Sequence, residues 1–219
     1  MKFKKLHISQ LSVSIMLLLA GTVTLQANDL EEVANELDAA KPAININDAS
    51  FSCIRDMTPV RHFYVDNILG DLDTTLAVAS APEGVKYPPG SVVQLVPTEV
   101  MVKGEAGSSP VTGDWEFFEL EVSEDGSKIV NRGFVDVNNR FGGNCFTCHL
   151  PARDKWDFIC ESDHGCEPIP IDHSMTGALQ RSDPRCGEEA LESGDSMALF
   201  KLKTMVVIGS VKKWFEDLF

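Results

Sequence analysis

Five consecutive residues of the 219-residue chain carry its clearest chemistry: Cys145-Phe146-Thr147-Cys148-His149. Two thiols three residues apart, followed at once by an imidazole, form the C-x-x-C-H attachment pattern of a c-type haem. Each thiol joins one vinyl group of the porphyrin, and the histidine offers a ring nitrogen to the iron. The second ring nitrogen of such a histidine ordinarily donates to a carbonyl or carboxylate, which fixes the tautomer. Three other chemistries use parts of the same run. A thioredoxin-like redox pair needs a βαβ setting, which the pattern of elements does not supply. A zinc site needs a second C-x-x-C or an H-x3-H at finger spacing, and neither follows. A disulfide between Cys145 and Cys148 is the third. The expectation is one covalent haem c on Cys145 and Cys148, with His149 as proximal iron ligand.

Residues 1–27 read as a secretory signal peptide. Lys2, Lys4 and Lys5 precede an apolar stretch containing Leu17-Leu18-Leu19-Ala20, and Leu25-Gln26-Ala27 ends in a small residue suited to cleavage. The apolar stretch is too short and too interrupted to span a bilayer comfortably. Export to the periplasm suits a c-type haem, which bacteria attach outside the cytoplasm. Cleavage would remove three lysines and no acid, making a chain of formal charge −14 still more negative. That balance excludes nucleic acid as a partner and favours basic ones, a redox partner protein among them. The remaining four cysteines, Cys53, Cys160, Cys166 and Cys186, are even in number in an exported chain, so two disulfides are expected. Three connectivities are possible; Cys160–Cys166 and Cys53–Cys186 are the favoured pairs.

The elements that must position these groups follow in order. Residues 29–40 place Leu30, Val33, Ala34 and Leu37 on one face of a helix that Pro42 ends. Residues 43–58 are polar and irregular. Residues 59–80 read as one short strand or helix and then a helix. A turn-rich stretch, 81–90, enters the strands 91–96 and 100–103. Residues 115–122 alternate, with Phe118, Leu120 and Val122 on one face and Glu119 and Glu121 on the other, as in a half-buried antiparallel strand. A hairpin turn at 124–127, longer than two residues, leads to a returning strand over 129–137, and the C-x-x-C-H run then opens a short helix or turn. Residues 160–186, rich in Pro, Asp and Cys, read as a stapled loop. Residues 188–199 and 198–219 read as helical. In the second of these, apolar residues are set among Lys201, Lys212 and Lys213. A basic amphipathic helix can lie on a membrane, but packing on the domain or a partner is the expected use of the stripe. A homodimer is compatible with all of this. The fold class is α+β, mainly an antiparallel β-sheet core with flanking helices.

The order of four pieces resembles the cytochrome P460 family and its relatives, the β-sheet cytochromes c′. They are Tyr87-Pro88-Pro89-Gly90-Ser91-Val92-Val93, Asp114-Trp115-Glu116-Phe117-Phe118, Gly143-Asn144 with the C-x-x-C-H run, and Trp156-Asp157-Phe158. The resemblance covers about residues 85–160. It divides the chain into a signal peptide (1–27), an N-terminal helix and linker (28–58), a P460-like haem domain (59–160), and a disulfide-stapled extension with a C-terminal amphipathic helix (161–219). It implies a small antiparallel β fold with one covalent haem, a proximal His149, and often an open distal position for a small gaseous or nitrogenous ligand. In cytochrome P460 proper, a strand lysine cross-links to the porphyrin and the protein oxidises hydroxylamine. Leu95 stands at that lysine's place here, with Lys103 on the next strand as a substitute. The departure favours the variant whose apolar pocket binds nitric oxide.

The main expectation is therefore a monohaem cytochrome that binds a small ligand under an apolar lid, with Phe118 or Leu95 as lid residues. A six-coordinate electron-transfer cytochrome would need a sixth ligand from His62, His164, His173, Met57, Met101 or Met175. An oxidoreductase acting on a small nitrogen compound would need a distal acid or base, for which Glu116, Glu119 and Asp114 are the candidates.

Overall fold

A computed structural model describes residues 44–81, 84–187 and 191–216, with side chains through residue 208. The expected signal peptide and the helix over 29–40 lie outside the described residues. The described chain is α+β, built on one open six-stranded sheet in which every neighbouring pair is antiparallel. The strands are β1 (Thr58–Val60), β2 (Phe63–Asn67), β3 (Ser91–Val96), β4 (Glu99–Lys103), β5 (Trp115–Ser123) and β6 (Gly126–Gly133), and they lie side by side in chain order. Tight two-residue turns join β1 to β2, β3 to β4 and β5 to β6, as antiparallel neighbours allow, while longer segments join β2 to β3 and β4 to β5.

Helix α1 (Leu72–Ala79) crosses between β2 and β3. It is fastened to both by a buried polar chain: the Asn67 amide donates to Thr75 Oγ1 at 3.0 Å, and Thr75 Oγ1 lies 2.9 Å from Ser91 Oγ. After the sheet come α2 (Cys145–His149), α3 (Arg153–Trp156), α4 (His173–Arg181) and α5 (Asp195–Glu216).

The sheet is apolar on both faces. On one, Phe63, Val65, Val93, Met101, Trp115 and Phe117 pack with Ala79, Cys145 and Phe158. On the other, Val92, Val100, Val102, Phe118 and Leu120 pack with Ile46 and Phe51. The segment that reads as an irregular linker thus covers the second face. This corrects the half-buried reading of β5. Only its far end, at Glu121 and Ser123, is exposed, whereas Trp115, Phe117 and Phe118 are buried whichever way they point.

Other readings change in the same way. The single element expected before α1 is a hairpin, β1 and β2, closed by Arg61-His62 with Arg61 at φ 55°. The β5–β6 turn is the two residues Glu124-Asp125, because Ser123 pairs directly with Gly126, whose φ of 123° suits glycine alone. Strand β6 ends at Gly133 rather than running to Val137. The stapled segment is more than loop: it contains α4, started by the Asp172 side chain accepting from the Met175 amide at 2.9 Å. The end of the chain is one helix, α5, beginning at Asp195. Among the described residues no helix is long and apolar enough to cross a membrane. One side of α5 packs on α4, and Met197, Phe200, Val207 and Ile208 remain exposed.

Both favoured disulfides are present, Cys53–Cys186 and Cys160–Cys166. Beneath the first, the buried Asp183 carboxylate accepts from the Ile54 amide at 2.9 Å and from Arg185 Nε and Nη2 at 2.8 and 2.6 Å. Burial alone would push this carboxyl up; the Arg185 and Ile54 hydrogen bonds outweigh it and hold the group below its ordinary value. A depressed carboxyl contributes stability above its unfolded value of about 3.9, and that stability is lost as pH falls through the folded value. The expected result is an unfolding free energy that drops as pH falls below about 5 and goes on dropping below the unfolded value, by up to about 1.4 kcal/mol per pH unit for this one group. The drop shrinks in Asp183→Asn, and equal pH profiles for the two proteins would contradict the assignment.

Candidate haem-attachment site

The site begins with a turn. Asn139 Oδ1 accepts from the Phe141 and Gly143 amides at 2.9 and 3.1 Å, with Gly142 at φ 84°. This folds the chain back so that Asn138 and Asn144 form a bridge. Asn144 then caps α2. Its side-chain oxygen accepts from the Thr147 amide and hydroxyl, both at 3.0 Å, while its NH2 group donates to the carbonyls of Phe134, Val135 and Val137. One side chain both starts the helix and moors it to the segment leaving β6. Asn144→Ala is expected to cost about 1–2 kcal/mol, at the upper end for a lost cap, because the mooring goes with it. Equal unfolding midpoints for this variant and the parent would contradict that role.

On α2, Cys145, Cys148 and His149 stand three and four residues apart, so they share one side of a single turn. The two thiols are free while the other four cysteines are paired. Burial pushes Cys145 up to about 12, with Glu99 adding to the effect, and burial also raises Cys148. A redox C-x-x-C pair relies on a stabilised thiolate, which burial here disfavours. Among the described residues, the one group of three Cys, His, Asp or Glu ligand atoms drawn within 4.8 Å of one another is Cys53, Asp183 and Cys186, whose thiols form a disulfide. Cys145, Cys148 and His149 do not themselves form such a group.

His149 is held from behind. Its Nδ1 lies 2.6 Å from the Phe158 carbonyl, and Phe117 packs against the ring with centroids 5.5 Å apart. With Nδ1–H donating, Nε2 keeps its lone pair. Burial lowers the ring's pKa against the opposing pull of the carbonyl, which favours the neutral, ligating form.

The Phe158 carbonyl is itself placed by a buried ion pair. Asp157 and Phe158 adopt successive left-handed conformations, φ 45° and 68°. The Asp157 carboxylate accepts from Lys103 Nζ at 2.6 Å and from the Tyr87 amide at 2.9 Å, and Lys103 also donates to the Gly113 carbonyl at 2.7 Å. Lys103 Nζ lies 5.0 Å from the Trp115 ring centroid. This corrects the reading of Lys103 as a substitute cross-linking residue: its ammonium is buried and fully engaged, and burial holds its pKa down.

The remaining candidates separate by face. Phe118 lies on the side of the sheet away from Cys145, so it is not a lid residue; strand alternation assigns that side to Phe117. Leu95 does pack on the Cys145 side, with Phe134 and Phe146. Met57 packs on the opposite side, and Met101 is buried on the Cys145 side, directly across from Phe117. Met175 lies on α4, away from both groups. His62, His164 and His173 line a separate cavity that no residue of the C-x-x-C-H run borders.

Glu116 is tied to Arg132, and Asp114 receives the Ser109 amide, so both serve the loops and strands they stand on. Glu119 pairs across the sheet with Glu99, a residue the sequence reading passed over. Burial raises Glu99, and the Arg140 amide donates to it at 3.1 Å. The alternation Glu99-Val100-Met101-Val102-Lys103 was the available signal, since it places Glu99 and Lys103 on the face of Met101.

The chain matches no protein-family profile, no curated protein and no solved structure.

Proposed function

We propose that this chain is an exported monohaem c-type cytochrome of the P460-like β class that binds a small ligand of the nitric oxide type. The observation that carries the reading is the arrangement of α2: two free thiols and an imidazole on one helical turn, with His149 Nδ1 fixed on the Phe158 carbonyl. Exposed apolar side chains flank the turn, Val135 at 69 %, Phe141 and Leu150, which suits a surface that a porphyrin would cover. A haem held there would supply a redox-active iron able to bind a small ligand. The chain's own residues fix the ring of His149, exclude water with Phe117, Phe146 and Leu95, and offer both thiols for attachment. The two disulfides accord with export to an oxidising compartment.

The six-coordinate electron-transfer alternative keeps one candidate on the right face, Met101. The hydroxylamine-oxidising alternative has Leu95 where its cross-link would form and Lys103 held by Asp157. The test is the absorption spectrum of the dithionite-reduced protein made with a c-type maturation system. A broad high-spin spectrum that sharpens on adding nitric oxide is expected. Sharp low-spin bands without added ligand would overturn the open site, and a red-shifted Soret band would restore the lysine cross-link.

A further inference from the structure

A cavity of about 460 Å³ that no residue of the C-x-x-C-H run lines is bordered by His62, His164 and His173, beside Arg61 and Glu161. It therefore collects every described histidine except His149. The His62 and His173 rings face each other with centroids 5.0 Å apart and planes at 58°. Two imidazoles on a tetrahedral ion, with metal–nitrogen bonds of about 2.0–2.1 Å, hold their ring centres about 5 Å apart.

We propose that His62 and His173 chelate a divalent transition-metal ion of the imidazole-preferring class in this cavity, with solvent completing the coordination. Their backbones are fixed relative to each other. His62 sits in the β1–β2 turn and His173 is the first residue of α4. Gln180, near the end of α4, donates to the His62 carbonyl at 2.9 Å and to the Leu95 carbonyl at 2.8 Å. Arg61, the other turn residue, is locked by Glu161 and by the Ala79 carbonyl. Such coupling holds the two rings at this centroid spacing before an ion arrives. Burial holds His62 below its ordinary value against the pull of Glu161, so the ring is neutral, as a ligand must be. Arg61 and Glu161, which line the cavity beside the pair, neutralise each other, in a chain whose formal charge of −14 draws cations. Imidazole selects Zn2+, Cu2+ and Ni2+ over Mg2+ and Ca2+. His164 lines the same cavity with its Nδ1 2.6 Å from the Ile159 carbonyl, the second anchoring that metal-binding histidines share, and its ring stacks on Trp156 at 3.8 Å.

The test is calorimetric titration of the haem-loaded protein with Zn2+, paired with electron paramagnetic resonance of the Cu2+ form. One ion per chain with Kd below about 100 µM is expected. Nitrogen hyperfine structure from two imidazoles is expected in the Cu2+ spectrum, with the haem absorption unchanged. His173→Ala alters an exposed helix end and should keep the parent's unfolding temperature while weakening Zn2+ at least tenfold; His62→Gln should do the same. Absence of Zn2+ binding would overturn the site. Undiminished binding in the double variant would do so too, since the ion would then lie elsewhere. Either result leaves the haem reading untouched, because that reading is judged by the iron spectrum alone.

Discussion

Asp157→Asn is expected to destabilise the fold by about 3–5 kcal/mol, read as the shift in a denaturant midpoint. Asparagine tolerates the left-handed backbone that residue 157 adopts, so the change removes charge with little added strain. What remains is the Lys103 ammonium, 7 % exposed, with the Gly113 carbonyl, the Trp115 ring, the pull of Asp114 and a neutral amide in place of its carboxylate. The loss of one member of a buried pair costs more than the pair itself contributes, since the other charge stays desolvated. Lys103→Met added to Asp157→Asn should therefore restore much of the loss. A double variant no better than Asp157→Asn would show that the carboxylate acts through the Tyr87 amide instead. The same pair fixes the turn that presents the Phe158 carbonyl to His149. In haem-loaded protein the single variant should therefore also shift the reduction potential, a readout that general loosening of the fold does not predict.

Removal of the two disulfides separately is expected to give unequal losses. Cys53–Cys186 closes a loop with a sequence separation of 133 and Cys160–Cys166 one of only 6. In the chain-entropy account, the long crosslink contributes about 5 kcal/mol and the short one about 2. Cys53→Ala with Cys186→Ala also loosens the ground around Asp183 and Arg185, where Arg185 Nη1 reaches Ser127 at 2.8 Å and Ser127 in turn donates to the Phe51 carbonyl at 2.6 Å. That cluster ties the C-terminal segment to the cover of the second sheet face. Unfolding curves of the two double-alanine proteins test the ordering, and equal midpoints would contradict it.

The sequence made the core of the sheet legible because strands β3 to β6 alternate or run apolar with turn residues between them. It also yielded both disulfides, since the four cysteines outside the C-x-x-C-H run leave three pairings, and the shortest loop and its complement suffice. It did not reveal that β5 is buried on both faces. That depends on Ile46 and Phe51, which come from a segment with no period of its own. Phe118 reads as a lid residue for the same reason: the pattern Phe118-Leu120-Val122 marks an apolar face without saying which of two cores it meets. Asp157, Lys103 and Glu99 act through pairings 54 and 20 residues away in the chain, the first by hydrogen bond and the second by strand register, and local pattern carries neither. The gathering of His62, His164 and His173 depends on how α4 docks on the β1–β2 turn, which a reading of the stapled segment as loop conceals.

A covalent haem at Cys145 and Cys148 is open to one direct measurement. The protein, made with a c-type maturation system, is denatured in detergent and its mass and haem stain are recorded beside those of Cys145→Ser with Cys148→Ser. The account predicts one haem per chain that survives denaturation in the parent and is lost in the variant. A parent chain with the bare polypeptide mass and no haem absorption would contradict it, and would leave the two thiols for zinc or for each other.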